Sequence, residues 1–222
     1  MKKENLTIAL AKGRTGKQAL KLLEASGITF SELTKGTRKL VIWDDTETVK
    51  LILVKAVDVP TYVETGAAEV GIVGKDIIME DEKDVYELLD LQISCCKLVV
   101  AGFPEDTLDR YSKVVVASKY PSVTRRYFKQ RGIPAEVIKL NGSIELAPLI
   151  GMSDVIVDIV ETGTTLKENG LVELEDIAPS SARVIVNKAG YARKTAHIQR
   201  LIENLKQEVE NDDENCSTGN IF

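Results

Sequence analysis

The sequence predicts an α/β protein of two lobes, each built on a mainly parallel sheet covered by helices. Three observations carry this. Short apolar runs alternate with amphipathic stretches along most of the 222 residues, as when strands return through helices. The alternation halts near residue 92, where two strand-like runs follow one another without a helix, and then restarts. Finally, 44% apolar and 28% charged residues suit a globular chain that can bury a sizeable core and whose length lies between one large and two small domains.

Taken in order, Leu6 to Leu10 reads as a buried strand. It is followed by Lys12-Gly13-Arg14 and a helix from about Thr15 to Ala25, ended by Ser26-Gly27. Leu40 to Ile42 and Lys50 to Val54 are two further strands; Pro60 opens a helix that Gly66 closes. Val70 to Val73 leads into Gly74-Lys75-Asp76, and Leu88 to Leu91 and Cys95 to Ala101 are strand-like. The second series runs Lys113 to Ala117 (strand), Pro121 to Gln130 (helix), Ala135 to Leu140 (strand), Ile144 to Ile150 (helix), Val155 to Ile159 (strand) and Thr164 to Asn169 (helix). Arg183 to Asn187 is one more strand. Lys194 to Glu210 is a helix whose Ile198, Leu201, Ile202, Leu205 and Val209 form one apolar stripe. These boundaries predict lobe I from 1–92 plus 181–210, lobe II from 93–180, and a disordered polar tail over 211–222. Ligands in such folds gather at the carboxyl ends of strands, and a cleft between the lobes is the expected place.

Composition excludes several classes. The net charge of −5 argues against general nucleic-acid binding, so an anion site must be a local cluster of bases. No run reaches the ~18 apolar residues of a membrane helix. The first residues lack a signal-type apolar segment, and three cysteines, two of them adjacent, make no disulfide framework; both fit the cytoplasm. A single histidine, His197, makes a Ser-His-Asp triad or a His-rich metal site improbable; it reads as a solvated helix position.

The most informative segment is Asp154 to Leu171. An apolar run carrying Asp158 gives way to Glu161-Thr162-Gly163-Thr164-Thr165 and then to a short helix. Strand, hydroxyl-rich loop and helix start together build an anion cradle. Backbone N–H groups converge, Gly163 permits close approach or a positive φ, and threonine hydroxyls add rotatable donors. An acid just before the loop suits ribose hydroxyls, so the segment points to a sugar phosphate; an ordinary turn with a threonine N-cap is the plain alternative. Lys12-Gly13-Arg14-Thr15-Gly16-Lys17 is no P-loop: the glycines stand too close and Gln18 replaces the Ser/Thr. A strand ending in Lys-Gly-Arg at a helix start nevertheless can grip a polyphosphate, and Arg38 could add a cation. Glu64-Thr65-Gly66 repeats the Glu-Thr-Gly triplet at a helix end, where it is structural.

Several segments in one order resemble the ATP phosphoribosyltransferase family: Ala9-Leu10-Ala11-Lys12-Gly13-Arg14, Asp58 to Val63, Gly71 to Asp76, Asn141 to Pro148, and Asp154 to Leu171. The resemblance covers about residues 6 to 205. Ala11 and Thr15 depart from the family's usual residues without removing a charge. It implies a two-lobed, periplasmic-binding-protein-like (type II) fold. The implied reaction is attack of adenine N1 of ATP on C1 of phosphoribosyl pyrophosphate (PRPP), with Mg²⁺, in the first step of histidine biosynthesis. The chain ends after its last helix, so it resembles the short form. That form works with a histidyl-tRNA-synthetase-like regulatory subunit, here expected as a homodimer within a hetero-oligomer.

On that resemblance Glu161, Thr162, Gly163, Thr164 and Thr165 hold the 5′-phosphate and Asp158 the ribose hydroxyls. Lys12, Arg14 and Arg38 neutralise the departing pyrophosphate, with Arg14 the foremost catalytic cation. Gly74, Lys75, Ser143 and Glu145 are weaker candidates for substrate contact, and Asp154 is structural. The protein alone holds no metal, so Mg²⁺ comes on the phosphates of its substrates. Two other readings stay open: a non-enzymatic anion- or nucleotide-binding module, and a phosphoribosyltransferase for another acceptor.

Overall fold

Which strands lie at the centre follows from burial. In the computed structural model, which describes residues 5–34 and 36–211, the strand Leu6–Ala11 (β1) is buried at every residue. Such continuous apolar runs belong to strands flanked on both edges and covered on both faces. Gly13 follows with φ +110° and starts α1 (Arg14–Ala25). Next come α2 (Ser31–Thr34), β2 (Val41–Trp43), β3 (Val49–Val54), α3 (Val59–Glu64), β4 (Val70–Gly74), α4 (Lys75–Asp81) and β5 (Tyr86–Asp90). The second series is β6 (Cys96–Gly102), β7 (Val114–Ser118), α5 (Pro121–Gln130), β8 (Ala135–Lys139), α6 (Leu146–Leu149), β9 (Val155–Val160), α7 (Thr164–Glu168) and β10 (Val172–Ser180). The chain closes with β11 (Ala182–Val186), α8 (Lys188–Arg193) and α9 (Thr195–Asn211).

These elements form two compact units. One takes the chain up to Ser94 and again from Ser181; the other is Cys95–Ser180. The first holds a six-stranded sheet in the order β2-β3-β1-β4-β11-β5, with β3, β1 and β4 parallel and β2 and β11 antiparallel to their neighbours. Its core joins Ile8, Leu10, Leu51 and Ile72 of the sheet to Leu23 of α1 and to Ile198, Leu201, Leu205 and Val209 of α9. Four of the five residues of the expected α9 stripe are therefore buried; Ile202 packs at its margin. Gly16 brings α1 onto β1, because a Cβ there would lie 1.9 Å from the Ala11 carbonyl oxygen. The second unit holds a five-stranded sheet in the order β10-β6-β9-β7-β8, with β9, β7 and β8 parallel. Val99, Ala117, Ile144, Ile156 and Leu166 are among its core residues.

The sheets are more mixed than the alternation implied. β6 runs antiparallel to β9, and β10 antiparallel to β6. Other strands intervene in the chain between β6 and β9 and between β6 and β10, so no βαβ crossover imposes a parallel alignment on either pair. The helix expected over Ile144 to Ile150 is only Leu146–Leu149, between Ser143 at φ +51° and Gly151 at φ +69°. The helix expected over Lys194 to Glu210 is α9, beginning one residue later, and a short helix not expected from the sequence precedes it: Asn187 caps α8 by accepting the Gly190 N–H at 2.6 Å. Asn211 is the last residue of α9, and the remainder of the expected tail lies outside the described residues. Among the described residues no helix is long and apolar enough to cross a membrane.

Candidate functional site

In the second unit the candidate anion loop follows β9. That strand is buried at its start and opens at its end, where Asp158 is half-buried and Ile159 exposed. The Asp158 carboxylate accepts the Ile159 N–H at 2.8 Å, which orients it across the strand end. Gly163 then adopts φ +71°, a left-handed conformation costly for any other residue, and its carbonyl accepts the first helical N–H from Lys167 at 3.0 Å. Thr162, Thr164 and Thr165 are exposed. The Thr162 and Thr164 hydroxyls are 2.9 Å apart, and the Thr164 N–H reaches Thr162 Oγ1 at 3.4 Å. The turn is thus lined with donors held by one another. Helix α7 has five residues, so its dipole is weak and the hydroxyls and loop N–H groups are the principal donors.

Behind this loop stands an ion pair that the sequence did not reveal. Glu173 Oε1 lies 3.6 Å from the position of a Cβ on Gly163. Its other oxygen is 2.5 Å from Lys97 Nζ, which also contacts Asp176 at 3.0 Å. Lys97 is held protonated beyond the usual lysine range, first by its hydrogen bonds to Glu173 and Asp176, against a smaller effect of burial.

The other candidates of this unit divide by strand. Ser143 and Glu145 follow β8, which is separated from β9 by β7. Ser143 uses its carbonyl to accept the Leu146 N–H at 3.2 Å, and Glu145 stands at the N-cap of α6. Glu145 makes no side-chain capping bond there, and neither residue lies on the strand that carries the loop. Asp154 sits at the opposite end of β9, where its Oδ2 accepts the Val115 N–H at 2.7 Å. That is the structural role expected of it.

In the first unit the basic candidates collect along one sheet edge. Lys12 leaves the carboxyl end of β1 with its N–H on the Val54 carbonyl at 2.9 Å, and Arg14 opens α1; both are exposed. Arg38, also exposed, precedes β2 on a segment held to β3 by the Leu53 N–H to Leu40 carbonyl bond of 2.8 Å. The register Ala11↔Val54 places Lys12 level with Lys55, an exposed base that sequence inspection passed over. A signal existed, since Lys55 immediately follows a strand read to end at Val54. Gly74 ends β4 on the same edge, with Asp76 Oδ1 only 2.2 Å from the position of its Cβ. The ammonium of Lys75 is engaged by Glu87. A cavity of about 460 Å³ opens at the opposite edge of this sheet, among Leu6, Asp44, Thr46, His197 and Arg200, and contains none of the candidates.

Two sheets with mixed edge strands, a hydroxyl-lined turn at the carboxyl end of β9 and bases at the carboxyl ends of β1 and β3 define a class of fold: an α/β protein of periplasmic-binding-protein type. Solved structures bear this out. The aliphatic sulphonate binding protein SsuA from Escherichia coli matches with a TM-score of 0.61 at 14% identity, over 95% of this chain and 70% of that one, a likeness of fold alone. The chain belongs to the ATP phosphoribosyltransferase family, whose model matches residues 55–207. An ATP phosphoribosyltransferase of Oceanobacillus iheyensis is 54% identical over 92% of this chain and 98% of its own length. One from a Thermoanaerobacter species is 52% identical over 93% and 97%. The ATP phosphoribosyl transferase (HisG:HisZ) complex from Thermotoga maritima matches with a TM-score of 0.81 and 33% identity, covering 93% of this chain and 100% of that one.

Proposed function

We propose that this chain is the catalytic subunit that transfers the 5-phosphoribosyl group of PRPP to N1 of the adenine of ATP and releases pyrophosphate, the first step of histidine biosynthesis. Family membership over nearly the whole length carries the reading; the donor-lined turn of Glu161 to Thr165 supports its assignment to the 5′-phosphate. Adenine N1 is unprotonated at neutral pH. It forms a bond to C1 of the ribose while the C1–O bond to pyrophosphate breaks, and that bonding pair leaves on the pyrophosphate. No side chain has to generate the nucleophile, so a chain with one histidine is adequate. Catalysis then consists of holding two anions and stabilising charge on the leaving group.

In this scheme Glu161 to Thr165 take the 5′-phosphate and Asp158 the ribose hydroxyls. Arg14, Lys12 and Arg38 face the pyrophosphate, joined by Lys55. Lys75 is a poor candidate because Glu87 already neutralises it. Mg²⁺, when bound, screens phosphate charge. The ion is taken to arrive on substrate phosphate oxygens, which suit it. The Thermotoga maritima likeness supports a HisZ-like regulatory subunit as partner in a hetero-oligomer. That this subunit is synthetase-related, that the assembly contains a homodimer of this chain, and that it works in the cytoplasm belong to the same proposal.

The test is pyrophosphate release by the chain with its regulatory partner. PRPP plus ATP should release pyrophosphate, and PRPP plus free nucleobases should not. Release with a nucleobase alone would move the activity to another acceptor, and release with neither would leave a binding module.

A further inference from the structure

We propose that Lys97 is a positioning residue for PRPP: by neutralising Glu173 behind the Glu161–Thr165 turn, it lets that turn accept a phosphate dianion. The inference rests on the assignment of the turn to the 5′-phosphate. Lys97 lies directly opposite Val160 in the antiparallel register of β6 and β9, so the two side chains share a face of the sheet. Gly163 closes the group: a Cβ there would be 3.9 Å from Val160 Cγ1 and 3.6 Å from Glu173 Oε1. The turn therefore backs onto a carboxylate, an unfavourable neighbour for an incoming dianion. Lys97 contacts both Glu173, at 2.5 Å, and Asp176, at 3.0 Å. Its removal leaves Glu173 without its cation beside the anion loop, where the repulsion is only partly screened. Lys97 and Glu173 are about three-tenths exposed, so the pair is open enough for salt to reach it and closed enough for the charge to matter. Because the pair backs the turn assigned to the 5′-phosphate, the effect is expected on PRPP rather than on ATP.

Calorimetry and steady-state kinetics on the full chain test this with four variants. Lys97→Met should raise Kd and KM for PRPP about five- to tenfold. Its kcat, its KM for ATP and its melting temperature should change little, and the PRPP defect should shrink at high salt. Lys97→Arg should retain PRPP affinity. Lys97→Met with Glu173→Gln should recover most of what Lys97→Met alone loses, because the repelling charge is gone. Glu173→Gln by itself should bind PRPP as well as the parent or better, and it keeps the test decisive if Lys97→Met folds poorly. Unchanged PRPP affinity in Lys97→Met, no recovery in the double variant, or a loss in Glu173→Gln overturns the proposal. A Thr162→Val, Thr165→Val variant in the same titration separates the two levels. If it keeps PRPP affinity, the loop assignment is wrong and this inference goes with it; if it loses affinity while Lys97→Met does not, only the role of Lys97 fails.

Discussion

At the scale of single residues, formal charge and available charge differ. Lys12, Arg14 and Lys75 all follow strands at one sheet edge; Lys12 and Arg14 are exposed, whereas Lys75 is half-buried with its ammonium held against Glu87. Arg14→Ala is accordingly expected to lower kcat by about 10²–10³, the usual loss on removing one preorganised donor, with an unchanged melting temperature. Lys75→Ala should leave kcat within a few-fold of the parent. Equal effects in steady-state assays would show that exposure and the Glu87 contact do not separate these two residues functionally. Asp44 illustrates charge put to structural use. It is buried and accepts the N–H groups of Thr48 at 2.7 Å, Val49 at 2.6 Å and Thr46 at 3.3 Å. Burial pushes its carboxyl up, but the hydrogen bonds from Thr46, Val49 and Thr48 together outweigh that and hold it below its ordinary value of 3.8. A depressed folded-state pKa stabilises above the unfolded value and loses that stabilisation as pH falls through the folded one. Asp44→Asn should thus be less stable at pH 7, and the gap should narrow below about pH 4. A constant gap across an acid titration of the melting temperature would contradict this.

At the scale of elements, legibility followed burial. β1, β4 and β9 were readable because strands enclosed on both sides are continuous apolar runs. β10 was not. It is an edge strand pairing only with β6, it carries Glu173, Glu175, Asp176 and Pro179, and its register shifts between Glu173 and Glu175 and again between Asp176 and Ala178. Each shift resets the two-residue alternation by which a half-exposed strand is recognised. The anion loop was legible because its elements are contiguous in sequence. The ion pair behind it was not, since Lys97 and Glu173 meet only through the pairing of β6 with β10. Close approach between elements can be tested at Gly16, where α1 meets β1. Gly16→Ala brings a methyl group to 1.9 Å from the Ala11 carbonyl oxygen, so helix or strand must move at a cost of about 1–3 kcal/mol. Denaturant unfolding should show that loss. Because the same shift displaces Lys12 and Arg14, kcat should fall too; a stable variant with full activity would mean that α1 tolerates displacement.

At the scale of the whole molecule, composition indicated the class and separated motifs in a fixed order indicated the family, because each motif is local and its order survives folding. What composition concealed is how charge is distributed. The chain is net acidic at −5, yet Lys12, Arg14, Arg38 and Lys55 lie along the edge formed by β1, β3 and the segment leading into β2, and their adjacency is fixed by strand order rather than by sequence distance. A local basic edge on an acidic protein favours small polyanions over long ones, since an extended nucleic acid would also meet the surrounding carboxylates. Raising ionic strength from about 0.1 M to about 1 M shortens the screening length from ~10 Å to ~3 Å. KM for both PRPP and ATP should therefore climb several-fold over that range, while duplex DNA binds poorly even at the low end. If KM for both substrates stays flat while kcat alone changes, exposed bases are not what brings these anions in, and affinity must come from the uncharged donors of the turn.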